Sequence, residues 1–181
     1  FYQRQEGGLG KPVRLVHNVP QTQLMLACDL NGDQRDDLII GADDNEYGAL
    51  AFLQQPGGAM GASIRVRVPR LRSITIAPRA GGGPDDIFSV DARSGRVMQF
   101  RWETPPESKG AADWPQLLYS FPFQSKSKQQ PLAVGDVTND GKPDVVAVDP
   151  DAAQMVLLAG SEGGLRPAEA FPTLVKCSDV C

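Results

Sequence analysis

At 181 residues with a net charge of −4, the chain is long enough for a sizeable core, and its charge makes no global case for nucleic-acid binding. The 19 glycines and 15 prolines punctuate many short apolar runs, which favours an all-β protein, and no run approaches the roughly 18 apolar residues of a membrane span. With His17 as the single histidine and no G-x-S-x-G turn, there is no Ser-His-Asp arrangement to assemble, so no enzyme is expected from this segment.

The abrupt start at Phe1 reads as a processed or truncated piece. Residues 1–19, with FYQRQ and then VRLVHNV, match only the third and fourth strands of a four-strand unit. The first whole unit has apolar runs at 23–28, 38–42, 48–54 and 63–69. Its first three runs are almost continuously apolar, as in strands buried on both faces. The fourth alternates: Ile64, Val66 and Val68 point one way, Arg65 and Arg67 the other, so one face is wet.

A second unit follows at 73–77, 86–91, 96–102 and 117–123, and a third at 131–135, 144–149, 154–159 and about 165–174. Asp37, Asp86 and Asp144 then fall in register, and Glu6-Gly7-Gly8-Leu9 returns as Glu162-Gly163-Gly164-Leu165. Four short strands repeating every 40–50 residues or so are the signature of β-propeller blades. The expected fold is therefore all-β: about three and a half blades of four antiparallel strands, part of a larger propeller. The divisions are 1–22 (the last two strands of a preceding blade), 23–72, 73–130, 131–174, and 175–181 as the start of a further blade.

Two nine-residue loops lead into second strands. One is Asp29-Leu30-Asn31-Gly32-Asp33-Gln34-Arg35-Asp36-Asp37, the other Asp136-Val137-Thr138-Asn139-Asp140-Gly141-Lys142-Pro143-Asp144. Oxygen side chains stand at positions 1, 3, 5 and 9, an arrangement that can wrap a hard cation wanting six to eight oxygens. An EF-hand needs an acidic ligand at position 12 opening a helix; here position 12 is Ile40 or Ala147, each in a β-type run. The bland alternative is an Asn/Asp/Gly-rich hairpin turn with no ion.

With its following strand, the loop resembles the FG-GAP/VCBS repeat family, found in the integrin alpha-subunit propeller and in bacterial surface proteins. The resemblance implies two calcium ions. One would be held by Asp29, Asn31, Asp33, Asp37 and the Arg35 carbonyl; the other by Asp136, Thr138, Asp140, Asp144 and the Lys142 carbonyl. Departures from the family pattern are Gln34 at position 6 of the first loop, where a left-handed backbone would strain a non-glycine residue, and Thr138 at position 3 of the second. The middle loop, 78–86, has Ala80-Gly81-Gly82-Gly83-Pro84 where carboxylates belong, and no metal is expected there.

The resemblance further implies a partner face opposite the calcium loops, on the second-to-third-strand turns. Candidates are Asp43, Asp44, Asn45, Glu46 and Tyr47, then Asp91 and Arg93, then Asp149 and Asp151; solvated turns are the competing account. Trp114 lies in an unusually long turn, 103–115, just after Trp102, and long turns are often functional or simply mobile. Eight arginines stand against three aspartates over 65–101, a local charge suited to an anionic glycan or an acidic partner, or simply solvated. Cys28, Cys177 and Cys181 are an odd set, open to buried thiols or to a disulfide, and too poor in ligands for zinc.

The expected function is a calcium-stabilised propeller segment of a secreted, periplasmic or cell-surface protein, acting in protein or glycan binding and adhesion. The alternative is the non-catalytic propeller scaffold of a secreted enzyme such as a polysaccharide lyase.

Overall fold

The computed structural model describes residues 11–17, 22–44, 46–78, 82–102, 116–121, 131–162, 164–166 and 169–174. Among them all regular structure is strand, arranged in antiparallel sheets. The first sheet runs β1 (Thr22–Cys28), β2 (Asp37–Ala42), β3 (Ala49–Phe52), β4 (Ile64–Val66). The second runs β5 (Leu71–Ala77), β6 (Asp86–Asp91), β7 (Val97–Arg101), β8 (Gln116–Phe121). The third contains β9 (Leu132–Gly135), β10 (Asp144–Asp149), β11 (Gln154–Leu158) and β14 (Glu169–Pro172) in spatial sequence. Between its last two strands a small hairpin, β12 (Gly160–Ser161) and β13 (Gly164–Leu165), stands apart.

In the first two sheets every strand pairs with its neighbour in sequence, and the third follows the same meander except that β11 pairs with β14 across the β12–β13 hairpin. Short turns suffice for such pairing, which explains how so glycine- and proline-rich a chain builds large sheets. The first strands also lie beside one another, β1 against β5 and β5 against β9.

Residue alternation then sorts side chains into separate cores. On β2, Ile39 enters the core between the first and second sheets, while Ile40 enters a smaller cluster with Leu50 and Phe52. On β6, Ile87 faces the first-sheet side, and Phe88 and Val90 face Val145, Ala147 and Leu158 of the third sheet. The second sheet is thus packed on both sides, and its central strands are buried almost throughout. Burying each Phe, Ile or Val side chain of this kind contributes about 1.5–3 kcal/mol. Trp102, fully buried just after β7, belongs to the core shared by the first two sheets.

Several expectations need correcting. The first strand is not buried on both faces: Leu24, Leu26 and Cys28 pack inward, whereas Met25 is 72 % exposed. Only one face of this edge strand meets another sheet. On the outer strand the alternation holds, with Val66 and Val68 buried and Arg65 and Arg67 exposed. The single run expected at 165–174 is broken into β13 and β14, because β12 and β13 pair with each other before the chain returns to β11. Residues 13–17 form no strand; Val13 and Val16 are exposed, and Leu15 alone packs on the Ile40 cluster. Among the described residues no sheet closes on itself, and what the structure establishes is three antiparallel four-stranded sheets.

Candidate metal loops and a turn-lined cleft

The two acidic loops share one backbone path. Positions 4 and 6 are left-handed in both: Gly32 (φ 79°) and Gln34 (φ 64°), then Asn139 (φ 56°) and Gly141 (φ 79°). Those two reversals turn successive N–H groups toward the aspartate at position 1. Asp29 accepts from Gly32 at 2.7 Å, Asp33 at 3.1 Å and Gln34 at 2.7 Å. Asp136 accepts from Asp140 and Gly141, each at 2.9 Å. At position 5, Asp33 and Asp140 each accept the position-7 N–H at 3.0 Å. The strain expected at Gln34 is present, since this residue carries the conformation that its counterpart meets with glycine.

Position 9 ties the loop to the sheet. Asp37 accepts from Leu30 at 3.0 Å and from Gln54, just beyond β3, at 2.7 Å. Asp144 accepts from Thr138 at 2.8 Å and from Gly160, at the matching place after β11, at 2.6 Å. Both carboxylates are fully buried. They differ electrostatically: burial pushes the Asp37 carboxyl above its ordinary value, its N–H partners opposing and Asp33 and Asp29 adding to the rise. For Asp144, burial also pushes upward, but the bonds from Gly160, Thr138 and Val137 outweigh it and hold the carboxyl low.

The structure thus brings Asp29, Asn31, Asp33 and Asp37 together around one loop, and Asp136, Thr138, Asp140 and Asp144 around the other. Among the described residues, no three or more His, Cys, Asp or Glu side chains are gathered tightly enough to form a metal site by themselves. The donors are all hard oxygens, and a carboxylate oxygen with one N–H bond keeps acceptor capacity for a cation. In the second loop the set fits calcium on those chemical grounds. The first loop carries a further group: the Arg35 guanidinium is ion-paired with Asp33 and donates through Nε to the Gln54 carbonyl at 3.2 Å.

The middle loop has a different solution. Asp86, in register with Asp37 and Asp144, takes the Arg101 guanidinium through Nε at 2.7 Å and Nη2 at 2.9 Å, and Gln99 Nε2 at 3.1 Å. Arg101 stands directly opposite Asp86 in the β6–β7 register. A bidentate arginine is the strong form of such a pair, and it neutralises a carboxylate that is only 8 % exposed.

At the other end of the sheets, Glu46, Arg67, Arg70, Asp91 and Arg93 line a cleft of about 770 Å³ together with Val68, Pro69 and Ala92. Glu46 and Arg93, far apart in sequence, are brought to one place. Much of the basic character of this region is matched locally. Arg70 pairs with Asp43 at 2.8 Å, Arg67 with Glu46 at 3.0 Å and Arg65 with Asp44 at 3.5 Å. Tyr47 is covered by the Arg65 guanidinium 4.1 Å from its ring centroid, with Arg67 at 5.7 Å. Its ring is therefore part of a cation–π stack rather than a bare contact surface.

The other turn acids have local duties. Asp44 accepts from the Glu46 and Tyr47 N–H groups, Asp91 from Arg93 and Ser94, and Asp149 from Asp151 and Ala152. Asp91 is held below its ordinary carboxyl value: burial pushes upward, but the Ser94 and Arg93 bonds and the Arg93 charge prevail. Asn45 and Trp114 lie outside the described residues, as do Cys177 and Cys181. Cys28 is a free, buried thiol. Arg67 and Arg70, part of the arginine excess noted in the sequence, line the cleft from the connection between two sheets; Pro69 beside them carried no signal of its own. The sequence reading missed Gln54 and Gly160, whose signal was their place one residue past the strand partner of the position-9 aspartate.

No known protein family, curated protein or solved structure matches the chain. Among the described residues no helix is long and apolar enough to cross a membrane.

Proposed function

We propose that the chain is a calcium-stabilised β-propeller segment of the FG-GAP/VCBS type, from a secreted, periplasmic or cell-surface protein, and that it binds a protein or glycan ligand. The observation that carries this reading is the arrangement of three consecutive antiparallel meanders with their first strands side by side. That is how blades stand around a common axis. Two register-matched acidic loops sit at one end and the polar cleft at the other.

The division of labour follows from the chemistry. The first loop ties β1 to β2 and to the residues just beyond β3, and the second ties β9 to β10 and to the residues just beyond β11, so a cation held in either would brace its sheet. In the second loop Asp136, Thr138, Asp140, Asp144 and the Lys142 carbonyl would hold the ion, with water completing the six to eight oxygens calcium prefers. The opposite cleft presents charges of both signs beside Val68, Pro69 and Ala92, a surface suited to a ligand with polar and charged groups.

Thermal melting of the purified protein with and without a chelator tests the metal. A lower melting temperature in chelator, abolished by Asp140→Ala, is expected; identical curves would remove calcium from the proposal. A glycan array, together with a panel of candidate protein ligands, tests the binding. Captured ligands should be lost by Arg93→Glu and weakened by Glu46→Ala, with unchanged melting temperatures, since both side chains are exposed at the rim. Capture indifferent to both substitutions would move the binding surface elsewhere.

A further inference from the structure

We infer that the first acidic loop carries its own cation: the Arg35 guanidinium occupies the Asp33 carboxylate, so that calcium acts at the second loop alone. The inference deepens the calcium reading and depends on it only for the second loop.

The two loops agree in the left-handed positions 4 and 6, in the aspartates at positions 1, 5 and 9, and in the N–H bonds from positions 5 and 6 to position 1 and from position 7 to position 5. They part at the side chain of position 7. In the first loop Arg35 is held from two sides, by Asp33 and by the Gln54 carbonyl at the end of β3. Asp33 is further engaged, since Oδ2 accepts Asn31 Nδ2 at 2.9 Å while Oδ1 takes the Arg35 N–H at 3.0 Å. Two of the expected ligands, Asn31 and Asp33, are thus bonded to each other, and Asp33 is bonded to a guanidinium as well.

A guanidinium stays protonated at any ordinary pH and cannot act as a ligand. A divalent ion would have to displace it from Asp33 or sit beside its positive charge at short range. The second loop has no such competitor: among the described residues Lys142 joins Asp140 only through its backbone N–H. Arg35 also reproduces what a bound ion would do mechanically, linking position 5 of the loop to the end of the third strand.

One guanidinium does not neutralise this neighbourhood. The loop holds Asp29, Asp33, Asp36 and Asp37, and the Asp85 carboxylate beside it accepts the Asp29 N–H at 2.9 Å. Removing the guanidinium leaves an acidic loop with an unchanged backbone, which is the condition for accepting calcium.

The test is calcium stoichiometry by titration calorimetry, with melting curves in chelator and in calcium. Arg35→Gln should add one calcium per chain to whatever the unsubstituted protein binds. It should also lower the melting temperature in chelator and restore it in calcium. In an Asp140→Ala background, calcium should bind only after Arg35→Gln is added, and a further Asp33→Asn should abolish it. An unsubstituted protein whose first loop already takes a calcium that Asp33→Asn removes would overturn the inference, as would an Arg35→Gln protein that gains none. Should the unsubstituted protein bind no calcium and Arg35→Gln bind one, the second-loop reading falls and this inference stands.

Discussion

Gln34 shows how one residue can carry the cost of a shared loop design. It adopts φ 64° where the matched position holds Gly141 at 79°, and a side chain with a Cβ is disfavoured there. Gln34→Gly should therefore stabilise the protein by about 0.5–1 kcal/mol, glycine's greater freedom in the unfolded chain offsetting part of the relief. Urea unfolding measures it; an unchanged or lower midpoint would mean that the Gln34 side chain returns as much as its backbone costs. Asn139, at φ 56°, is a milder case, since asparagine visits this region more readily.

The middle sheet keeps the position-9 aspartate although the loop before it lacks the other acids. Asp86 retains the position-9 place, and Arg101 meets it across the β6–β7 pair. Arg101→Leu leaves a nearly buried carboxylate without its counter-charge, and a loss of about 3 kcal/mol or more is expected. Adding Asp86→Asn in the same chain should recover part of that loss in urea unfolding. If the double variant is no better than the single one, the arginine acts chiefly through packing.

Strand positions were legible because apolar runs and turn residues are local signals, and the aspartate repeat fixed their phase. The left-handed backbone at position 6 was legible for the same reason, from glycine in one copy. Other features depend on what lies next to an element, which its own residues do not encode. β1 reads as apolar yet leaves Met25 in solvent because only one of its faces meets another sheet. The β12–β13 hairpin replaces a continuous strand through a pairing between residues too few to give a period. Arg35 was read only for its carbonyl; its side chain pairs with Asp33 two residues earlier and reaches Gln54, a second partner that loop spacing does not encode.

Across the whole molecule, Cys28 is a natural reporter of integrity. It lies in the core joining the first and second sheets, and burial, with the surrounding carboxylates Asp85, Asp37, Asp29 and Asp36 adding to it, pushes its thiol up to about 12. At pH 8 its thiolate fraction is then about one part in ten thousand, before access is considered. Iodoacetamide followed by peptide mapping should find Cys28 unmodified in the native protein and fully alkylated in denaturant. Rapid native labelling would mean that the two sheets separate readily.

The joint between those sheets also bears on how such a chain can change over evolutionary time. The Asp29 N–H donates to the Asp85 carboxylate at 2.9 Å while the Asp85 N–H donates to the Asp29 carbonyl at 2.8 Å. A Cβ on Gly32 would stand 2.9 Å from Pro84 Cδ. The first loop is thus tailored to the particular glycine- and proline-rich segment beside it, and the fit is written in both units at once. Duplicated units that start out alike lose their interchangeability at such a joint. Swapping the second unit for a copy of the third would bring a different loop against Gly32, so an exchange that moves the first two units as a pair is expected to cost less stability than one that parts them.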